Sequence, residues 1–201
     1  MNLPNKITMV RIVLSIFLLV FLIFPWDLCN IEFPTYLEGH LEVSLQYIIA
    51  GIVFLIASLT DTLDGYLARS RNMVTDFGKV MDAIADKVLV NGILIVLACN
   101  DMINVLIPVV IITRDIAVDS IKMAAGQNGH AVGASVLGKI KTICMMTGLT
   151  LVFFNNLPFE FIVIQGHPLA VDQAMLYIAT VLSVISGIQY YIVNKDAFKD
   201  K

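Results

Sequence analysis

Charged residues are scarce in this sequence: 14% of 201 positions, against about 25% in a typical soluble domain. Hydrophobic residues make up 58% and gather in runs of about 20, long enough to cross a hydrocarbon layer roughly 30 Å thick as helices. Together these exclude a water-soluble globular domain. Cysteine is also scarce. Cys29, Cys99 and Cys144 are odd in number and far apart, which excludes a disulfide framework and the close spacing of a zinc site. Internal repeats and low-complexity segments are missing. No small-residue cleavage site follows the first apolar run, so that run reads as a span rather than a cleaved signal peptide. The net charge of −3 is too small to indicate a partner.

What is present is an all-α integral membrane pattern of six transmembrane helices, over about 7–24, 43–63, 80–98, 103–125, 137–154 and 171–193. Polar or Gly/Pro-bearing connections separate them at 26–42, 64–79, 99–102, 126–136 and 155–170. The length suits one membrane-embedded domain over 1–201. The opening residues form a short interfacial segment, with Pro4 suited to a first helical turn and Asn2 to its cap.

The 13 Lys and Arg residues are unevenly placed. Lys6 and Arg11 flank the start of the first span. Arg69, Arg71, Lys79 and Lys87 lie in or beside the second connection, Arg114 and Lys122 in the second half of the fourth span. Lys139 and Lys141 open the fifth span, and Lys195, Lys199 and Lys201 follow the sixth. Connections 26–42, 99–102 and 155–170 contain none. The positive-inside rule then puts both termini on the cytoplasmic side of the inner cell membrane. Glu32, Glu38, Glu42 and Glu160 fall on or near the outer connections. The acids of the cytoplasmic half are all Asp.

Four of those acids form a constellation. Asp61 and Asp64 are spaced i, i+3, and Asp82 and Asp86 are spaced i, i+4, so each pair lies on one helix face. The short connection makes the two helices antiparallel neighbours and brings the pairs together near the cytoplasmic surface. Four facing carboxylates repel, and ionisable groups at membrane depth are costly and usually functional. Hard oxygen donors without Cys or His select Mg²⁺, Mn²⁺ or Ca²⁺. Two such ions sharing carboxylates suit in-line displacement at phosphorus. Gly65, Ala68 and Gly78 leave bare helix surface where a nucleotide can approach. Arg69 offers a planar fork to phosphate oxygens. Either acid pair alone also reads as a solvated helix terminus; the combined pattern does not.

The stretch Asp61-x-x-Asp64-Gly65-x-x-Ala68-Arg69, eight residues, Gly78-x-x-x-Asp82-x-x-x-Asp86 resembles the signature of the CDP-alcohol phosphotransferases at every fixed position, and the six-span layout extends the resemblance over the chain. The resemblance implies a divalent-metal-dependent phosphatidyltransferase. It makes Asp61, Asp64, Asp82 and Asp86 ligands of two cations, Mg²⁺ or Mn²⁺, with Asp61 and Asp82 bridging. Asp86 also resembles the residue that takes the proton of the acceptor hydroxyl. Gly65, Arg69 and Thr75 look like positions that hold the CDP moiety, beside Ala68 and Gly78. A homodimer is implied in the same way.

Family membership leaves the acceptor open. Arg114, in Ile-Ile-Thr-Arg-Asp-Ile, and Lys139 and Lys141 opening the fifth span point to a phosphate-bearing substrate. Adjacent positions on a helix diverge by about 100°, so Asp115 is expected to be a poor partner for Arg114, and Asp119 is badly placed. The alternative is that these cations are counterions or reach to headgroups. With the opening Pro4-Asn5-Lys6-Ile7-Thr8-Met9-Val10-Arg11 and the Ala85-Asp86-Lys87 triplet, the pattern resembles the phosphatidylglycerophosphate synthases of that family. That implies CDP-diacylglycerol and glycerol-3-phosphate as substrates within a lipid bilayer, and no nucleic acid. Ala83 replaces a common Pro and Asp115 a common Glu, which bears on acceptor choice. Cardiolipin, phosphatidylserine or phosphatidylinositol synthesis are the alternatives within the family. A cation transporter is disfavoured because the second and third spans carry no acid in their outer halves.

Overall fold

The computed structural model describes residues 3–36, 43–70, 76–127, 136–164 and 167–194. Six long helices run through it: α1 Leu3–Ile23, α2 Leu45–Ser70, α3 Asp76–Cys99, α4 Leu106–Gln127, α5 Val136–Phe153 and α6 Val171–Asn194. Each coincides with one of the six expected spans. In hydrocarbon every backbone polar group needs a partner within its own segment, which is why apolar runs of this length become helices. Pro4 falls in the first turn of α1, and the chain leaves that helix just before Pro25. Among the described residues α1, α5 and α6 are long and apolar enough to span by themselves, and α2 has an apolar stretch, Leu45–Thr60. Charged side chains occupy the first half of α3 and the second half of α4.

The helix ends opposite the acids are closed by short turns. Asp101 takes a left-handed φ of 56°. Its N–H donates to the Ala98 carbonyl, and the Met102 N–H donates to that of Leu97, so the last orphan carbonyls of α3 are satisfied. Asn155 ends α5 the same way, at φ 48°. Asn104 then accepts the Leu106 N–H at 2.9 Å as a cap for α4. The third connection is therefore longer than expected, with α4 beginning at Leu106. On the same side lie two small antiparallel hairpins, β1 Thr35–Tyr36 with β2 Val43–Ser44, and β3 Val163–Ile164 with β4 His167–Pro168. Gln173 of α6 reaches the Met102 carbonyl at 3.0 Å and ties this face together.

Packing divides the helices into two groups. α1 packs on both α2 and α3, and α6 packs on both α4 and α5; contacts of α2 with α5 and of α3 with α4 join the groups. The common core includes Leu18, Phe54, Leu89, Ile93, Ile107, Leu149, Phe153 and Leu176. Small residues allow the close approaches expected between helices in lipid. A Cβ added at Gly148 would come within 2.9 Å of the Leu176 side chain and 3.2 Å of its backbone nitrogen, so α5 and α6 touch backbone to side chain. α2 and α3 both pack on α1.

Candidate active site

The acid-bearing segments are helical as the spacing required. Positions 61, 64, 65, 68 and 69 lie in the last turns of α2, where the backbone alone is described, and 78, 82 and 86 lie in the first turns of α3. The side chains of Asp61, Asp64 and Arg69, and all of Thr75, fall outside the described residues. On α3, Ala85 is fully buried, while Asp82 is half-exposed and Asp86 is exposed. The two acids thus present oxygen to the open side of a helix whose other face is core.

Asp82 has a partner that sequence reading missed. Arg11 of α1, only 1% exposed, donates from Nη1 to Asp82 Oδ1 at 2.8 Å. The signal was available. Arg11 lies inside the first apolar run, and a buried arginine at membrane depth demands an anion. Arg114 carries the same signal in the fourth span.

Arg114 of α4 makes one hydrogen bond from each guanidinium nitrogen, using three of its five N–H donors. Its Nε donates to the Ser183 carbonyl at 2.9 Å, its Nη2 to Ser186 Oγ at 2.7 Å and its Nη1 to Asp115 Oδ1 at 2.9 Å. The expectation that Asp115 would be a poor partner is corrected. The angle between neighbouring Cβ directions does not bind the tip of a side chain as long as arginine's, which folds back along the helix. Gly187 makes room for it, since a Cβ there would sit 3.0 Å from Arg114 Cγ. Ser183, Ser186 and Gly187 of α6 were not anticipated, because small polar residues in an apolar helix carry no distinct signal.

Lys141 joins the same carboxylate. Buried on α5, it donates from Nζ to Asp115 Oδ1 at 2.7 Å and lies within electrostatic reach of Asp86. One carboxylate oxygen therefore bridges two cations, one from α4 and one from α5, beside the acidic face of α3. Lys139 does not join them. Two positions away on a helix means about 200° around the axis, and Lys139 is exposed. Asp119 pairs with Lys87 of α3 instead, which links α3 to α4 one residue beyond Asp86.

The donor chemistry fits hard divalent cations. Asp82 and Asp86 supply carboxylate oxygen on one face of α3, and one oxygen of Asp82 is engaged by Arg11. Among the described residues no three His, Cys, Asp or Glu side chains converge; the side chains of the α2 acids lie outside that set. Cys29, Cys99 and Cys144 are free, in keeping with the absence of a disulfide framework.

The model of the CDP-alcohol phosphatidyltransferase family matches residues 1–185. A Bacillus subtilis protein named CDP-diacylglycerol–glycerol-3-phosphate 3-phosphatidyltransferase is 37% identical over 198 residues, covering 98% of this chain and 97% of its own length. A Rickettsia felis protein of the same name is 30% identical over 198 residues, covering 98% of this chain and 97% of its own. Among solved structures, Mycobacterium tuberculosis phosphatidylinositol phosphate synthase in its apo form superposes with a TM-score of 0.60 over all of this chain and 94% of its own. At 18% identity that likeness speaks to the fold alone.

Proposed function

The chain belongs to the CDP-alcohol phosphatidyltransferase family, and from that membership we propose that it transfers the phosphatidyl group of CDP-diacylglycerol to glycerol-3-phosphate, forming phosphatidylglycerophosphate and CMP. The reading draws on relatives that carry this activity in their names and align along nearly their whole length. The structural observation that supports it best is the pair Arg114 and Lys141, bridged by Asp115 beside the acidic face of α3. An acceptor that carries phosphate has cations to meet at the place where its hydroxyl must meet a base.

Asp61, Asp64, Asp82 and Asp86 would hold two divalent cations, Mg²⁺ or Mn²⁺, which when bound supply charge neutralisation on the diphosphate. The exposed Asp86 carboxylate accepts the proton of the acceptor hydroxyl as its oxygen forms a bond to the phosphorus bearing diacylglycerol. The bond from that phosphorus to the bridging oxygen breaks, and CMP leaves with the electron pair. Arg69, with Thr75 and the small positions Gly65, Ala68 and Gly78, holds the CDP part. Arg114 and Lys141 orient the acceptor phosphate, and the exposed Lys139 draws anions toward the pocket. The basic connections favour an inner-membrane placement with both termini and the site in the cytoplasm. We read the whole of 1–201 as one such domain, working as a homodimer by resemblance to the family.

The test is incubation of the purified protein with CDP-diacylglycerol, Mg²⁺ and a panel of alcohols, with the lipid product identified by mass. Phosphatidylglycerophosphate as the main product is the expected result. A product built on phosphatidylglycerol, serine or an inositol compound would replace the acceptor assignment while leaving the chemistry.

A further inference from the structure

Arg11 stands where both acid-bearing helices meet a third. α1 packs on α2 and on α3, and Arg11 is 1% exposed within it. A guanidinium buried in a membrane span needs an anion. It finds one 71 positions away, with Nη1 at 2.8 Å from Asp82 Oδ1. The carboxylate it holds is asymmetric in its surroundings: Arg11 grips it from the core, while the side chain is 47% exposed toward the open side.

We propose that Arg11 is a positioning residue of the cation site, holding Oδ1 of Asp82 so that the carboxylate is set to receive divalent cations. The proposal rests on the reading of Asp82 as a cation ligand given above. An ionised carboxylate offers about four lone-pair directions over two oxygens, so one hydrogen bond from Arg11 leaves room for metal. Ligating carboxylates are commonly oriented by such outer partners, whose loss weakens metal affinity. Before cations bind, the guanidinium also offsets part of the mutual repulsion of the acids.

The opposite role, a cation that competes with the metal for Asp82, is disfavoured by packing. Competition requires Arg11 to withdraw when metal arrives. α1 is seated on α3 by the approach of Leu19 to Gly92, where an added Cβ would lie 2.5 Å from Leu19 Cδ1. At 1% exposure Arg11 is buried, and a guanidinium withdrawn from Asp82 would give up this ion pair inside the protein, a costly loss. The pair persists on loading, and Arg11 orients rather than competes.

The experiment is calorimetric titration of Mn²⁺ into detergent-purified wild type, Arg11→Met and Arg11→Lys, with melting in EDTA as the folding control. Arg11→Met is expected to weaken Mn²⁺ binding by about ten- to a hundredfold. Arg11→Lys keeps the counter-charge but not the planar fork; it should melt near wild type in EDTA and still bind Mn²⁺ roughly tenfold more weakly. If Arg11→Met does not fold, the Lys variant decides. Affinity unchanged in the folded variants, or raised, would overturn the proposal while wild-type binding upheld the cation reading. A wild type that binds no Mn²⁺ would overturn both.

Discussion

Lys141 on α5 donates to Asp115 on α4 at 2.7 Å, through the same carboxylate oxygen that accepts Arg114. Two positive charges share one negative charge, so the cluster is left with a net positive charge and can take a further anion. Replacing Lys141 by Met removes one cation and leaves Asp115 paired with Arg114. The expected outcome is a rise in KM for glycerol-3-phosphate with little change in KM for CDP-diacylglycerol. A hydrogen bond to a charged group is worth about 1.5–3 kcal/mol, which corresponds to roughly a ten- to hundredfold loss in kcat/KM. A loss confined to the lipid donor would move Lys141 to the CDP side.

Arg114→Lys should act in the same direction and more strongly than its retained charge suggests. Lysine cannot reach the Ser183 carbonyl, Ser186 and Asp115 at once, as the guanidinium does. Steady-state kinetics with each substrate varied in turn separates an acceptor effect from a donor effect. Equal kinetics in wild type and Arg114→Lys would remove Arg114 from the site.

Asp86→Asn should abolish turnover while largely sparing metal-dependent binding of CDP-diacylglycerol. An amide still offers one oxygen to a cation but cannot take the acceptor's proton. Asp82→Asn is expected to weaken cation binding as well, since it also removes the carboxylate charge paired with Arg11. Turnover at the wild-type rate in Asp86→Asn would refute its role as base.

These assignments were unequally legible in the sequence. The four acids, two glycines and Arg69 stand out because their spacing is meaningful only on helices, and α2 and α3 are helical there. The partnership of Arg11 with Asp82 was hidden, because the order in which helices pack is not their order in the chain. α1 packs on α3 as well as on its chain neighbour α2. The pairing of Arg114 with Asp115 is not legible from Cβ directions, which do not fix where the tip of a long side chain lies. The later start of α4 came from a left-handed turn at Asp101 and a cap at Asn104, in a connection whose apolar Ile103 looked like helix.

The α5–α6 contact sets a stability expectation. A side chain at Gly148 meets Leu176, including its backbone nitrogen, so Gly148→Val forces the helices apart. Overpacking of this kind costs about 1–3 kcal/mol and should lower the melting temperature of the detergent-purified protein. Unchanged melting would show that the contact yields.

The chain carries its own topology probe. Cys29 is exposed in the connection between α1 and α2, within 26–42. A membrane-impermeant maleimide applied to intact cells should label Cys29 and spare a cysteine added after α6. The reverse pattern would place the acids outside the cell and contradict the proposed orientation.

In the proposed reaction the acids of α2 and α3, with divalent cations, drive phosphatidyl transfer to glycerol-3-phosphate. The most direct measurement follows CMP release and lipid product from CDP-diacylglycerol and glycerol-3-phosphate, with purified protein, with and without Mg²⁺. Stoichiometric CMP and phosphatidylglycerophosphate, lost on chelation and restored by Mg²⁺ or Mn²⁺, is the expected result. Undiminished product formation in EDTA, or no CMP with glycerol-3-phosphate present, would contradict the account.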